Sequence, residues 1–372
     1  MSHPEDDDLH KAGLPIPFEG TPVDPNALQS GPQPLAAKAF TAGELEQLSD
    51  EVPCLFYVSG TRSHHREGVL PRGIVGVLAG AAGAGKSFFA LEMMLAAANG
   101  GALFGVAHPG IPYVQPSDAG SVLYLSLEDS REIVGRRLRD IAHARDFGVE
   151  KLARIHVVAW NELDLDRALF RHELGAHNTD LYARATATLQ QSGPWSLIVV
   201  DTFARSAFGD VEANPEAATA FIQRLESWTK LPGNPTVLII HHSRKAEASD
   251  KVGKWLSEAL SAEAARGTGA IVGAARWLGM LAKPKHEASG DVPHRNVFFE
   301  IAKANGVADD AMPRLHMVPG PRGVLRIATD EERAAVQHML KGGAAVAARP
   351  KPNGAVHATV VDREPHDWSR DT

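Results

Sequence analysis

The sequence predicts an α/β protein: a mostly parallel sheet covered by helices on both faces, with an antiparallel C-terminal extension at one edge. Three observations carry that expectation. Five short apolar runs, at 73–78, 122–127, 155–158, 197–200 and 237–240, alternate with segments of helical composition or helical periodicity. Glycine and proline punctuate the joins, as in the Gly193-Pro194 pair ahead of the fourth run. Beyond residue 275 the rhythm shortens, and strand-like runs at 276–281, 296–301, 315–318 and 324–327 succeed one another across turns.

Taken in order, the chain opens on a proline-rich acidic stretch. Residues 1–50 hold nine Asp and Glu against two Lys, so they account for the whole formal charge of −7. They are expected to form a disordered tail. Within them Thr41-Ala-Gly-Glu44 has the form of a capping box for a short helix. Residues 51–335 are expected to form one domain and 336–372 a second disordered tail, the pattern dissolving into Ala, Gly and Pro from about Gly342. At 372 residues and 44% hydrophobic, the chain can bury a full α/β core and still carry tails.

Everything after residue 50 nets zero, so the overall acidity neither favours nor excludes a nucleic-acid partner of the folded part. A single cysteine, Cys54, excludes an internal disulfide framework. No signal-peptide pattern opens the chain and no apolar run approaches membrane-spanning length, so the protein is expected to be soluble and cytoplasmic, without a membrane partner.

The first apolar run leads into Gly80-Ala81-Ala82-Gly83-Ala84-Gly85-Lys86-Ser87, which satisfies G-x-x-x-x-G-K-[ST] at every fixed position. In that pattern glycines let successive backbone N–H groups turn toward an anion, the lysine reaches the outer phosphates and the hydroxyl meets Mg²⁺. A glycine- and proline-free helical segment, 88–98, begins at Phe88, so a helix N-terminus faces the anion. ATP and Mg²⁺ are the ligands these residues imply.

Three further strand ends carry polar residues, and in open α/β sheets ligands bind at such ends. The run Leu-Ile-Val-Val closes on Asp201, the form of a metal-holding carboxylate opposite Ser87. The second run closes on Glu128 and Asp129. Glu128 ends it directly and is read as the base that activates water, with Asp129 in support near the metal. The alternative is that both are charges favouring the N-terminus of the next helix, a reading as good as the first for Asp129. The fifth run ends at His241-His242. Neighbours on an extended segment point to opposite sides, so the pair does not chelate one ion, and His241 is read as a sensor of the γ-phosphate. Further on, Asn214 is the expected N-cap of a helix starting near Pro215, with Phe221, Ile222, Leu225 and Trp228 on one face.

With these elements in order, the chain resembles the RepA-like hexameric ATPases, plasmid replicative helicases of the RecA superfamily, and more distantly the DnaB-type helicases. The resemblance spans 73–306. It rests on the glycine loop, Tyr124-Leu-Ser-Leu-Glu-Asp129, Val200-Asp-Thr202, Ile240-His-His-Ser243, Arg266-Gly-Thr-Gly-Ala270 with Ala275-Arg-Trp277, and Lys303-Ala-Asn305. It implies a RecA-like fold and a hexameric ring of identical chains, with ATP between subunits and an arginine supplied in trans. Arg276 is the favoured finger and Arg266 the second candidate. Lys303, with Asn305, matches a motif near the nucleotide.

The resemblance also implies single-stranded DNA inside the ring, met by 243–265 (Arg244, Lys245, Lys251, Lys254) or by 203–214 (Arg205, Phe208). A replication initiator or other replisome protein is the implied partner, in plasmid, phage or mobile-element replication. The chain departs from the family where Gly306 replaces an aromatic after Lys-Ala-Asn, and in its long acidic N-terminus. A second reading makes it a nucleotide-switched RecA-like ATPase that controls partner assembly without unwinding DNA. A small-molecule kinase is disfavoured, since no acceptor pocket or lid is evident.

Overall fold

The computed structural model describes residues 41–47, 52–59, 66–163, 168–171, 177–208, 211, 214–244, 252–265, 269–284, 295–307 and 312–340. The chain divides into two units, Met1–Asp50 and Glu51–Thr372. In the first, helix α1 (Ala42–Glu46) carries the capping box its sequence encodes: Glu44 N–H donates to Thr41 Oγ1 at 3.2 Å, and Thr41 N–H donates to the Glu44 carboxylate at 2.8 Å.

The second unit begins with strands β1 (Cys54–Ser59) and β2 (Arg66–Pro71), an antiparallel pair in a stretch where the sequence signalled no strands. Cys54 is buried there. Strand β3 (Val75–Gly80) leads through the glycine loop into helix α2 (Lys86–Asn99). Strand β4 (Ser121–Ser126), helix α3 (Arg131–Ala144), strand β5 (Ile155–Ala159), helix α4 (Asp180–Gln191) and strand β6 (Trp195–Asp201) follow. Next come short helix α5 (Phe203–Ser206), helix α6 (Pro215–Glu226) and strand β7 (Thr236–His242). Asn214 caps α6 through Oδ1, which accepts from the backbone of Glu216 and Ala217. Helices α7 (Val252–Ala259), α8 (Ala262–Ala265) and α9 (Gly269–Ala274) lead to β8 (Trp277–Ala282), β9 (Val297–Ala304), β10 (Leu315–Pro319), β11 (Leu325–Ile327) and helix α10 (Asp330–Leu340). Helix α10 runs across the 335/336 boundary read from the sequence.

Among the described residues the main sheet has nine strands in the order β11-β10-β9-β8-β3-β7-β6-β4-β5. The six from β8 to β5 are parallel, and β9, β10 and β11 add on antiparallel. The run at 276–281 therefore belongs to the parallel sheet and not to the antiparallel extension where its spacing suggested. The reason is the connection: three helices carry the chain from β7 across the sheet, and such a crossover delivers a parallel strand.

Both sheet faces are covered, which is why these strands read as continuous apolar runs rather than alternating ones. Leu197 and Val199 of β6 pack into the cluster under α2 and α3, while Ile198 and Val200 pack into the opposite cluster with Phe221 and Leu225 of α6. Next to the phosphate loop the strands come very close. A Cβ at Gly80 would lie 2.5 Å from the Leu281 carbonyl oxygen of β8, so only glycine fits. Helix α2 is tied to the far edge by Arg145, whose guanidinium bonds both the buried Glu92 carboxylate of α2 and the Leu325 carbonyl of β11.

Candidate functional site

The carboxyl ends of β3, β4, β6, β7 and β8 meet on one side of the sheet around a cleft of about 440 Å³. Gly83 and Gly85 hold φ of +74° and +91°, the left-handed region that residues with a Cβ avoid, and Gly85 is the N-cap of α2. The loop thus turns back on itself and delivers the α2 N-terminus, with its unpaired N–H groups, to the cleft. Ala82, Gly83, Ala84, Gly85, Lys86, Ser87 and Phe88 line it; Gly80 and Ala81 contribute their carbonyls from beneath.

Lys86 is buried, and its ammonium donates to Gly80 O at 2.8 Å and Ala81 O at 3.1 Å and lies 3.3 Å from His242 Nδ1. Burial lowers its pKa from the ordinary value to about 8, partly opposed by the charges of Asp201 and Glu128. Polyphosphate brings further negative charge to the ammonium and favours its protonated form.

Asp201, at the end of β6, sits across from the loop. Ser87 Oγ donates to its Oδ2 at 2.9 Å and the Tyr124 hydroxyl donates to the same oxygen. Burial raises the Asp201 pKa; the Tyr124 and Ser87 hydrogen bonds oppose this, and the nearby charges of Asp129 and Glu128 add to it. Three carboxylates thus crowd one rim of the cleft. Asp129 is engaged by Arg137 of α3, whose guanidinium also lies 5.8 Å from the Phe88 ring centroid. Glu128 lines the cleft and is exposed to it.

His241 requires a correction. Its ring faces the opposite side of the sheet, buried edge-on against Phe203 at 5.4 Å between centroids, while His242 lines the cleft beside Lys86. Strand alternation, which argues against a joint metal site, also decides which of the two faces the cleft. Burial lowers the His241 pKa to about 4, with smaller contributions from His242 and Lys86. The unfolded chain takes up that proton near the ordinary 6.5, so between about pH 6.5 and 4 the folded state binds fewer protons. Stability from this group is present above that window and lost as pH falls through it. His316, also lowered to about 4, acts in the same sense, while Glu92, raised by burial to about 7, acts in the opposite one. The contribution of His241 is therefore read by difference: relative to wild type, His241→Gln should raise the urea-unfolding midpoint more at pH 5 than at pH 7.

Arg276 and Lys303 do not join the cleft of their own chain. Arg276 is exposed at the amino end of β8, its N–H bonded to Val75 O at 3.0 Å, so the length of β3 separates it from the phosphate loop. The Lys303 ammonium donates to the carbonyls of Val272, Gly273 and Ala275 at 3.0, 3.1 and 2.7 Å. It closes the C-terminus of α9, where unpaired carbonyls attract a cation, and is corrected from nucleotide contact to helix cap. Arg266 lies outside the described residues.

Tyr124, Arg137, His242 and Lys283 line or support the cleft without having been given roles from the sequence. Lys283 carried a usable signal. It follows the end of β8, and every parallel strand end near the loop supplies a cleft residue; reading 276–281 as part of the antiparallel edge hid it.

The residues present suit Mg²⁺, which takes one or two protein oxygens and keeps phosphate and water for the rest. Ser87 and Asp201 offer those oxygens, and the buried Thr202 Oγ1 at the cleft wall has no hydrogen-bond partner among the described residues. Among the described residues no group of three or more His, Cys, Asp or Glu could enclose a metal, so a closed protein cage is not what this site provides.

Strand order, glycine loop and strand-end carboxylate together define a RecA-like P-loop ATPase fold. The model of the AAA_25 family, an AAA domain, matches residues 60–248, and the chain belongs to that family. Solved structures with a similar backbone include the RadB recombinase, at 13% identity and a TM-score of 0.40, covering 69% of this chain and 92% of that one. The KaiC-like protein PH0186 from Pyrococcus horikoshii OT3 is similar at 14% identity and 0.41, covering 70% and 92%. A third solved structure, described as an ATPase domain, is similar at 12% identity and 0.45, covering 74% and 91%. At such identities the likeness is one of backbone arrangement alone. No curated protein matches the chain. No helix among the described residues is long and apolar enough to cross a membrane.

Proposed function

We propose that this protein is a Mg²⁺-dependent ATPase that works as a ring-forming RecA-like motor on single-stranded DNA, a RepA-like helicase in plasmid, phage or mobile-element replication. The observation that carries the ATPase is the meeting of Lys86, Ser87, Asp201 and Glu128 in one cleft at a helix N-terminus. Ser87 and Asp201 would hold Mg²⁺, which when bound neutralises charge on the phosphates. The loop N–H groups and Lys86 grip the triphosphate. Glu128 takes a proton from water as the water oxygen bonds to the γ-phosphorus and the bond to the β–γ bridging oxygen breaks, releasing ADP and inorganic phosphate. His242, beside Lys86, is the group placed to register the γ-phosphate.

The ring finds support in Arg276. Five residue steps of extended chain, about 17 Å, separate its level on β3 from Gly80, which keeps this exposed arginine out of its own chain's cleft and leaves it free to enter a neighbour's. DNA contact finds support in Phe208, 52% exposed, with the Arg171 guanidinium 4.6 Å from its ring centroid. An aromatic face backed by a cation is the combination that stacks bases and tracks phosphates without sequence preference. Arg205 is exposed close by in α5.

The test is ATP hydrolysis with and without single-stranded DNA, in wild type and Arg276→Ala. DNA should raise the wild-type rate, and Arg276→Ala should lower turnover about a thousandfold. Mixing it with Lys86→Ala protein should restore part of the rate, since the latter lends its finger to intact clefts. No restoration, with a monomeric mass in the presence of ATP, rejects the ring. A wild-type rate indifferent to DNA leaves the nucleotide-switched ATPase in its place.

A further inference from the structure

The chemistry assigned to Asp201 requires its carboxylate to keep one orientation, and something in the fold must impose it. Two hydroxyls converge on the same oxygen: Ser87 Oγ donates to Oδ2 at 2.9 Å, and Tyr124 donates to Oδ2 from the middle of β4. The other oxygen, Oδ1, accepts no hydrogen bond among the described residues. Tyr124 has no exposed surface and its ring is packed into the core under α2. It is a donor on a rigid strand, adjacent to β6 in register: Tyr124 pairs with Val199, two residues before Asp201.

We propose that Tyr124 is a positioning residue for the divalent cation. Resting on the nucleotide reading of the cleft, the proposal is that its buried hydroxyl locks Oδ2 of Asp201, so that Oδ1 and the Ser87 lone pairs are presented to the metal. Two facts give this its content. The one hydroxyl hydrogen of Ser87 is spent on Asp201, so its lone pairs point elsewhere, and with Oδ2 saturated by two donors the carboxylate cannot rotate without breaking one of them.

The test reads binding rather than turnover. A fluorescent ADP analogue is titrated into full-length protein in EDTA, and then MgCl₂ is titrated at fixed analogue. In wild type Mg²⁺ should tighten binding. In Tyr124→Phe the Mg²⁺ midpoint should rise about tenfold, the size of effect for losing a hydrogen bond to a charged group, while the affinity in EDTA stays within about twofold. In an Asp201→Ala background the same change should shift the midpoint no further.

An unchanged midpoint in Tyr124→Phe, or an equal loss of affinity in EDTA, overturns the proposal. Should that variant not fold, 3-fluorotyrosine at position 124 keeps the ring and hydroxyl while strengthening the donor. The midpoint should then fall, and one that stays put overturns the proposal in the same way. Wild-type affinity that ignores Mg²⁺ overturns the cleft reading itself, and the role of Tyr124 with it.

Discussion

Lys86→Ala is expected to lower ATP turnover at least a hundredfold and to weaken ATP binding. Lys86 is 6% exposed, and its ammonium is the one cation the glycine loop itself contributes to the cleft. In a partly dehydrated site a preorganised donor directed at developing phosphate charge is worth about 10²–10³ in rate. The fold should survive, because the two carbonyls that Lys86 now satisfies, Gly80 O and Ala81 O, border the cleft and can be solvated. The check is steady-state phosphate release from purified protein, with circular dichroism to establish folding. Turnover that persists in a folded Lys86→Ala protein means that hydrolysis takes place elsewhere.

Glu128→Gln should separate binding from chemistry. General-base assistance contributes about 10²–10⁴, so a side chain of the same shape that cannot take the proton should lower the single-turnover rate by that order. Glu128 is an exposed carboxylate at the rim, near Lys86 and the other acids, so removing its charge should leave ATP affinity equal to wild type or slightly tighter. Asp129→Asn is the matched control. That carboxylate is already committed to Arg137, so its loss should cost far less in rate. Equal effects of the two substitutions would move the base from Glu128 to the rim as a whole.

How much of this was legible in the chain follows from the range of each interaction. The glycine loop and its helix were fully readable, since every residue in them is a neighbour in sequence and the left-handed positions at Gly83 and Gly85 demand glycine locally. The carboxylates were readable as strand ends. The partner of Asp201 was not: Tyr124 is 77 residues away and looks like any other apolar residue of a buried strand. Lys303 misled for the complementary reason, because a motif match records which residues accompany one another and not that three helix-end carbonyls claim the ammonium.

The sequence by itself determined the class of fold, the phosphate-binding loop and the kind of ligand it takes. Local periodicity and local backbone demands are properties of adjacent residues. Only the tertiary structure decided that β8 lies parallel beside β3, that His242 rather than His241 faces the lysine, and that Tyr124 holds Asp201. Each of those depends on strand order and side-chain direction across the sheet, which arise when distant segments pack; periodicity within one segment marks a face as buried but does not say which segment covers it.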